Sequence, residues 1–406
     1  MPLRAAAATI LVAGLGYFVD VFDLLLFAVV RVASVQELGA GPRALEVGAL
    51  LQNAQLVGMM LGGFAWGVLG DRRGRRSVLY GSILCYSLAN LANAAVTSVP
   101  AYVACRLVAG FGLAGELGAA LTIVGELVET RARGAATAIV AAMGVLGAVA
   151  AALVGEQVPW RTAYVVGGAM GLALLLLRVG VRDSAMFARA RAAAGRGDVR
   201  RLFDDRDRAA RFLRAIAIGM PVWFAVGILI TFAPEFARAL GVAGEVTAAR
   251  AVLLFYAGTT LGDLASGPLS QALCSRKRAV GAFLWLCLGG IVTYLAGVPR
   301  TAAALYATCA VIGFGVGYWA VLVTMAVELF GTDLRATVAT SVPNLVRVTA
   351  VPMTLAFLAL RAPLGLVGAA ALVGAVAMGA AAWALRAQPE TYGRELDFLE
   401  GHGRAA

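Results

Sequence analysis

The chain has 406 residues, of which 61% are hydrophobic and only 14% charged, with a mean hydropathy of +0.85. Soluble domains hold about 45–50% apolar and about 25% charged residues, so a soluble body of this composition has too little polar surface to cover itself. The net charge of +11 does not mark a nucleic-acid binder, because the basic residues cluster in short stretches between apolar runs, as they do where they orient helices in a bilayer.

A helix crossing a membrane needs about 20 apolar residues. Twelve candidate spans follow in chain order: 9–30, 47–69, 77–97, 101–125, 135–155, 160–180, 213–233, 250–271, 279–298, 302–327, 336–359 and 364–385. They are too long and continuous for porin strands of about 9–11 alternating residues. Arg4 ahead of an apolar run imitates a secretory leader, but Asp20 and Asp23 interrupt that run and no A-x-A site follows, so it counts as the first span. The predicted fold class is an all-α membrane protein of two six-helix bundles, 1–180 and 213–386. A cytoplasmic connecting segment at 181–212 and a tail at 387–406 complete the predicted organisation. With the N-terminus assigned to the cytoplasm, 24 basic residues fall on that side and seven on the other: Arg31, Arg43, Arg161, Arg238, Arg250, Arg300 and Arg361. That excess predicts both termini on the cytoplasmic side of a bacterial-type inner membrane.

Five cysteines without CxxC spacing and a lone histidine, His402, point to neither a disulfide framework nor a metal site. No cofactor is expected, and the absence of a G-x4-G-K-[ST] run argues against ATP as the energy source. A monomer embedded in lipid, with no nucleic-acid partner, is the expected state.

The halves repeat. Glu126-x6-Arg133 follows the fourth span and Glu328-x6-Arg335 the tenth, 202 residues later. Gly67-Val-Leu-Gly-Asp71-Arg72-Arg73-Gly74-Arg75-Arg76 follows the second span, and a stretch from Gly267 to Arg278 follows the eighth. Two related halves facing each other place a cavity at their interface, where transporters hold substrate. Gly58-x3-Gly62, Gly63-x3-Gly67 and Gly313-x3-Gly317 read as helix-packing signals.

At these residues the chain resembles the major facilitator superfamily over nearly its whole length. Gly67-x3-Asp71-Arg72-x-Gly74-Arg75-Arg76 is similar to that superfamily's signature loop. Arg106-x3-Gly110 with Gly115-Glu116 resembles its fourth-helix motif, and Arg182-Asp183-Ser184 with Phe187 its R-E-S-P-x-F stretch. Pro389-Glu390-Thr391-Tyr392-Gly393-Arg394-Glu395-Leu396 resembles the P-E-T-x-G-R-x-L tail. The last three point to the branch of sugar porters, metabolite:proton symporters and organic-ion transporters. Asp20-x-x-Asp23 resembles the D-G-x-D motif of aromatic-acid:proton symporters, with Val21 in the place of glycine. The glutamine motifs of sugar porters are missing from 135–155 and 213–233, so the resemblance implies a symporter of an organic anion or other small metabolite.

Each ionisable side chain at mid-bilayer needs a reason. Asp20 and Asp23 are three apart, hence on one helical face, and two such carboxylates cannot both ionise comfortably in a low dielectric. The pair is a candidate proton carrier; a permanent structural pairing with arginines is the other reading. Arg106 and Asp23 lie at similar depths of the predicted spans, which makes a salt bridge geometrically reasonable, and a substrate carboxylate can compete for the same guanidinium. Glu116, ten residues on and about 15 Å further along the helix, is a second relay station at most. In the second half, Arg347 with Asn344 is the candidate anion anchor, and a buried pair with Asp263 is its alternative. Tyr17, Gln52, Asn53, Gln55 and Trp319 are candidate polar and aromatic contacts. Asp71 with Arg72, Arg75 and Arg76, together with Glu126–Arg133 and Glu328–Arg335, are candidate gating charges.

The reading is a secondary active transporter that carries a small organic anion, a carboxylate, with protons by alternating access. A proton-coupled exporter of drugs or cations, and an uncoupled metabolite or sugar uniporter, are the rivals. No nucleophile–base arrangement suggests an enzyme.

Overall fold

The computed structural model describes residues 3–73, 75–127, 130–178, 202–331 and 334–394. The side chains of Asp71, Arg72, Arg75, Arg76, Glu116, Glu126, Arg133 and Arg335 lie outside the described residues, as does the stretch 182–187. The described elements are helices joined by turns and short connections, with one isolated bridge between Ala243 and Thr301. Inside lipid a helix satisfies its own backbone N–H and C=O groups, which is why these apolar runs take that form.

The first half runs α1 (Leu3–Glu37), α2 (Ala44–Arg73), α3 (Arg75–Ala94), α4 (Val99–Leu127), α5 (Thr130–Gln157) and α6 (Trp160–Arg178). The second half runs α7 (Arg206–Phe224), α8 (Ala233–Ala239), α9 (Ala248–Ala272), α10 (Arg276–Leu295), α11 (Ala302–Val316), α12 (Trp319–Glu328), α13 (Arg335–Val348) and α14 (Ala350–Ala387). These fourteen helices make twelve spans: α7 with α8, α11 with α12, and α13 with the part of α14 before Gly365 each form one, and the rest of α14 is the twelfth. Between α7 and α8 the chain widens into a π-helical turn, Ala225–Ile230, closed by Thr231 N–H on the Val226 carbonyl at 3.2 Å. Pro221 inside α7 and Pro234 in α8 each withhold a donor there. Between α11 and α12 lies Gly317, where a side chain would meet the backbone of Gly262. Within α14, Gly365 takes φ 70, ψ 175 and divides the eleventh span from the twelfth.

The chain forms two compact units, Met1–Ala193 with Ala248–Leu253, and Ala194–Thr247 with Leu254–Ala406. Each unit contains the same glycine seam. In the first, Gly58 and Gly62 of α2 abut the carbonyls of Leu107 and Phe111 on α4, and Gly110 abuts that of Gln55. In the second, Gly258 and Gly262 of α9 abut Ala310 and Phe314 on α11, and Gly313 abuts Phe255. Every contact on the first helix is displaced by 200 residues and every one on its partner by 203. Gly112 and Gly315 extend the match, standing against the backbone of Tyr86 and Cys287. Glycine admits this approach because no Cβ separates the backbones.

Three expectations change. Arg31, counted as an outer-loop charge, lies inside α1 and is fully buried, its stem lodged against Gly48 of α2. Gly63 meets nothing within 4 Å, so Gly63-x3-Gly67 is not a packing seam at its first position. The connection expected through 212 already turns helical at Arg206, where Asp205 caps α7 by accepting from Arg208 N at 3.0 Å. Asp207 then pairs with Arg211 one turn on, at 3.2 Å.

The seam separates two otherwise similar substitutions. Gly58→Ala drives a methyl into the Leu107 carbonyl and destabilises the protein by about 1–3 kcal/mol. Gly63→Ala leaves stability within about 0.5 kcal/mol. Thermal unfolding of purified protein in detergent reads the difference, and equal melting temperatures would refute the seam.

Candidate functional site

Six helices of the first unit are not equally polar inside; the charge gathers where α1, α3, α4 and α6 meet. Asp20 and Asp23 on α1 are 0% and 2% exposed, and Arg106 on α4 is 0% exposed. The guanidinium of Arg106 donates through Nη2 to Gln55 Oε1 on α2 and through Nη1 to the Tyr164 hydroxyl on α6 at 3.4 Å. Its central carbon lies over the ring of Phe27, 4.5 Å from the centroid. A desolvated cation on an aromatic face gains about 2 kcal/mol, which offsets part of the cost of burying it.

Asp23 does not complete the expected salt bridge. Its carboxylate faces Arg106 electrostatically but is not ion-paired with it; the side-chain amide of Asn90 on α3 is the neutral group turned toward it. Gly167 on α6 makes the space: a Cβ there would stand 2.6 Å from Asp23 Oδ1. Tyr17, expected at the substrate, packs its ring against Gly144 of α5. Asn53 on α2 is 7% exposed, and its carbonyl oxygen has no hydrogen-bond partner.

Behind Arg106 runs a chain of hydroxyls. Tyr164 and Tyr102 join through their hydroxyl oxygens at 2.7 Å, Tyr102 donates to Ser34 Oγ at 3.4 Å, and Ser34 donates to the Arg31 carbonyl at 3.0 Å. At the nearby helix ends, Glu37 accepts from Trp160 Nε1 at 2.5 Å and from Arg161 Nε at 3.0 Å. Arg161 also donates to the carbonyls of Ala94 and Val96 at 2.8 and 2.9 Å, fastening the ends of α1, α3 and α6 together.

None of Tyr164, Tyr102, Phe27 or Asn90 was singled out from sequence. Spacing did carry a signal: Tyr102 precedes Arg106 by four and Phe27 follows Asp23 by four, so each shares a face with a buried charge.

In the second unit the equivalents of Gln55 and Arg106, displaced by 200 and 203, are Phe255 and Cys309, both fully buried. The same seam therefore closes there without a charge. Arg347 is 4% exposed at the end of α13, with Asn344 one turn before it. Asp263 on α9 accepts from Ala320 N at 3.2 Å and also faces Trp319 N, so its carboxylate caps α12, the end of a helix that favours an anion.

Glu328, a candidate gating charge with Arg335, whose side chain lies outside the described residues, is held by Arg276 at 3.2 Å and by the Thr391 hydroxyl at 2.7 Å. Arg276 opens α10 beside the end of α12, where Glu328 stands. The tail completes the cluster. Glu390 accepts from the Ser275 hydroxyl and from the backbone N–H groups of Arg276, Thr391 and Tyr392, at 2.9, 2.9 and 3.1 Å for the last three. Arg276 also lies over the Tyr392 ring at 5.4 Å. Partial burial works against the Glu390 charge, but these donors outweigh it and hold the carboxyl below its ordinary value. The cluster joins the α9–α10 turn, the end of α12 and the tail.

Two helical units, one with a buried arginine beside two buried carboxyl groups, have the architecture of a membrane transporter. Residues 13–347 match the Major Facilitator Superfamily, and the chain belongs to that family; it is a transporter, not an enzyme. A Bacillus subtilis protein named as a niacin/nicotinamide transporter is 32% identical over 43% of this chain, which spans 44% of that relative's length. A Cupriavidus pinatubonensis protein named as a 4-methylmuconolactone transporter is 26% identical over 96% of this chain and 93% of its own. Among solved structures, a D-xylose–proton symporter superposes with a TM-score of 0.74 at 17% identity, covering 96% of this chain and 99% of that one.

The Glu390 cluster has a pH signature. A carboxyl held low in the folded state stabilises it above the unfolded value near 4.5 and loses that contribution as pH falls through the folded value. Glu390→Gln should lower stability by about 1 kcal/mol at pH 7, with the deficit fading below the folded value. Melting curves across pH check this, and a deficit independent of pH would contradict it.

Proposed function

We propose that the protein carries a small organic carboxylate together with protons, by alternating access. Asp23, backed by Asp20, carries the proton, and Arg106 is the cation that answers to it. Both are sealed from water in the first unit, and the second unit builds the same helix seam with Phe255 and Cys309 in place of Gln55 and Arg106. That comparison carries the reading. The fold does not require a buried arginine at this position, so the several kcal/mol that burying one costs must serve another purpose.

The carboxylate assignment rests on cations. Arg106 and Arg347 are buried arginines, and arginine holds a carboxylate through two parallel hydrogen bonds. The relatives are named for small ring compounds, niacin among them a carboxylic acid. Arg347, with Asn344, takes the substrate anion in the second half; Asp263, Trp319, Asn53, Gln55 and Tyr17 shape the polar surroundings, and Glu116 stands further along α4. The Arg276–Glu328–Thr391 cluster, and Asp71 with Arg72, Arg75 and Arg76 in the first half, act as charge latches on the side where both termini lie, which the excess of basic residues assigns to the cytoplasm of an inner-membrane protein.

Uptake into proteoliposomes tests the roles separately. Asp23→Asn should lose accumulation driven by a pH gradient while retaining exchange of labelled niacin at equal pH. Arg347→Ala, extracted as folded protein, should lose niacin binding by at least about tenfold, the cost of one charge-assisted hydrogen bond. Undiminished gradient-driven accumulation in Asp23→Asn would rule out its proton role, and normal binding in Arg347→Ala would remove that residue from the site.

A further inference from the structure

Arg106 is a buried cation whose hydrogen-bond partners are both neutral. Its Nη2 donates to an amide oxygen, its Nη1 to a phenol, and its Nε has no partner. Asp23 lies close enough to feel that charge, yet neither of its oxygens takes the guanidinium. An ionised carboxylate and a guanidinium left side by side and unpaired in a water-free interior would each bear an uncompensated desolvation cost. The arrangement is stable when Asp23 holds a proton.

The hydroxyl chain explains how Arg106 tolerates losing its acid. Each hydroxyl has one proton to give. Ser34 spends its proton on the Arg31 carbonyl and Tyr102 on Ser34, so Tyr164 donates to Tyr102. The Tyr164 oxygen is then left with its lone pairs toward Arg106, the one direction in which it can accept. Every proton in the chain points away from the cation and every oxygen toward it, and bonds aligned in this way polarise one another.

We infer that Tyr164, set by Tyr102 and Ser34 behind it, is the positioning residue on which Arg106 rests while Asp23 carries the proton. When Asp23 releases its proton, the carboxylate is the better acceptor and takes the guanidinium. When it is protonated again, Arg106 returns to Tyr164 and Gln55. Without such a resting place Arg106 would remain on Asp23, and the acid would load only at lower pH. Among the described residues, the charged or titratable groups facing Asp23 are Asp20 on its own helix, Arg106 on α4 and Tyr164 on α6, while α3 presents the neutral Asn90. This inference rests on the proton role proposed above for Asp23.

The test needs no transported solute. In full-length protein reconstituted in lipid, the infrared C=O stretch of protonated Asp23 is assigned by its disappearance in Asp23→Asn and then titrated with pH. Tyr164→Phe, which keeps the ring and removes the acceptor, should move the midpoint about one unit toward acid, a tenfold loss of proton affinity. Tyr102→Phe, which leaves Tyr164 unoriented, should move it the same way by about threefold. An unmoved midpoint in Tyr164→Phe, or in Tyr102→Phe should the first variant not fold, overturns the inference while leaving Asp23 as proton carrier. If Asp23→Asn removes no band at any pH, the proton role itself fails, whatever Tyr164 does.

Discussion

A guanidinium does not lose its proton in a protein, so Arg106 remains charged wherever the fold puts it. The fold puts it where no water reaches. Much of the first unit answers that one constraint. Gln55 supplies an amide oxygen, Tyr164 a phenol and Phe27 a ring face. Gly110, one turn after Arg106 on the α4 side of the seam, lets α2 approach closely enough for Gln55 to reach. Gly167 clears the space occupied by Asp23. A permanent carboxylate partner would be the simplest way to hold such a cation, and the structure holds it with neutral groups while the carboxylate waits nearby. That makes Arg106 a group with two possible partners, which is the property a coupled transporter needs.

The second unit separates architecture from function without any mutation. Its seam repeats the first glycine by glycine, down to the Gly-Phe-Gly run at 110–112 and 313–315. At the matching positions it packs Phe255 and Cys309. Packing at the seam is therefore satisfied by apolar residues, and at these two positions only the first unit carries polar groups. The second unit concentrates its charge at helix ends instead: Asp263 caps α12, and Arg276, Glu328, Thr391 and Glu390 tie a turn to the tail.

The spans, the repeat and the buried charges were legible in the sequence because each is a local property: the length of an apolar run, a shared motif, a charge where none is expected. Partners across helices were not. Arg106 finds Tyr164 58 residues away and Gln55 51 residues away, and no spacing along the chain reports which helices touch. The expected Asp23–Arg106 bridge came from matching depths, which is necessary for contact but does not decide it. Arg276 reaches Glu328 from 52 residues before it, a partner that the repeated motif does not report. Arg31 was read as a loop charge because charge usually ends a span; glycine at position 48 made room for it inside the helix. The start of α7 was hidden in the same way, since its charged first turns imitate a linker until Asp205 is recognised as their cap.

Proton movement coupled to solute movement is the property on which the account stands. Vesicles containing the protein and an internal pH indicator, with membrane potential clamped by potassium and valinomycin, should acidify inside when niacin or another small ring carboxylate is added outside. In Asp23→Asn vesicles the solute should equilibrate with no change in the indicator. Solute entry into wild-type vesicles with the indicator unmoved would contradict the account and leave the buried acid and arginine without a part in transport.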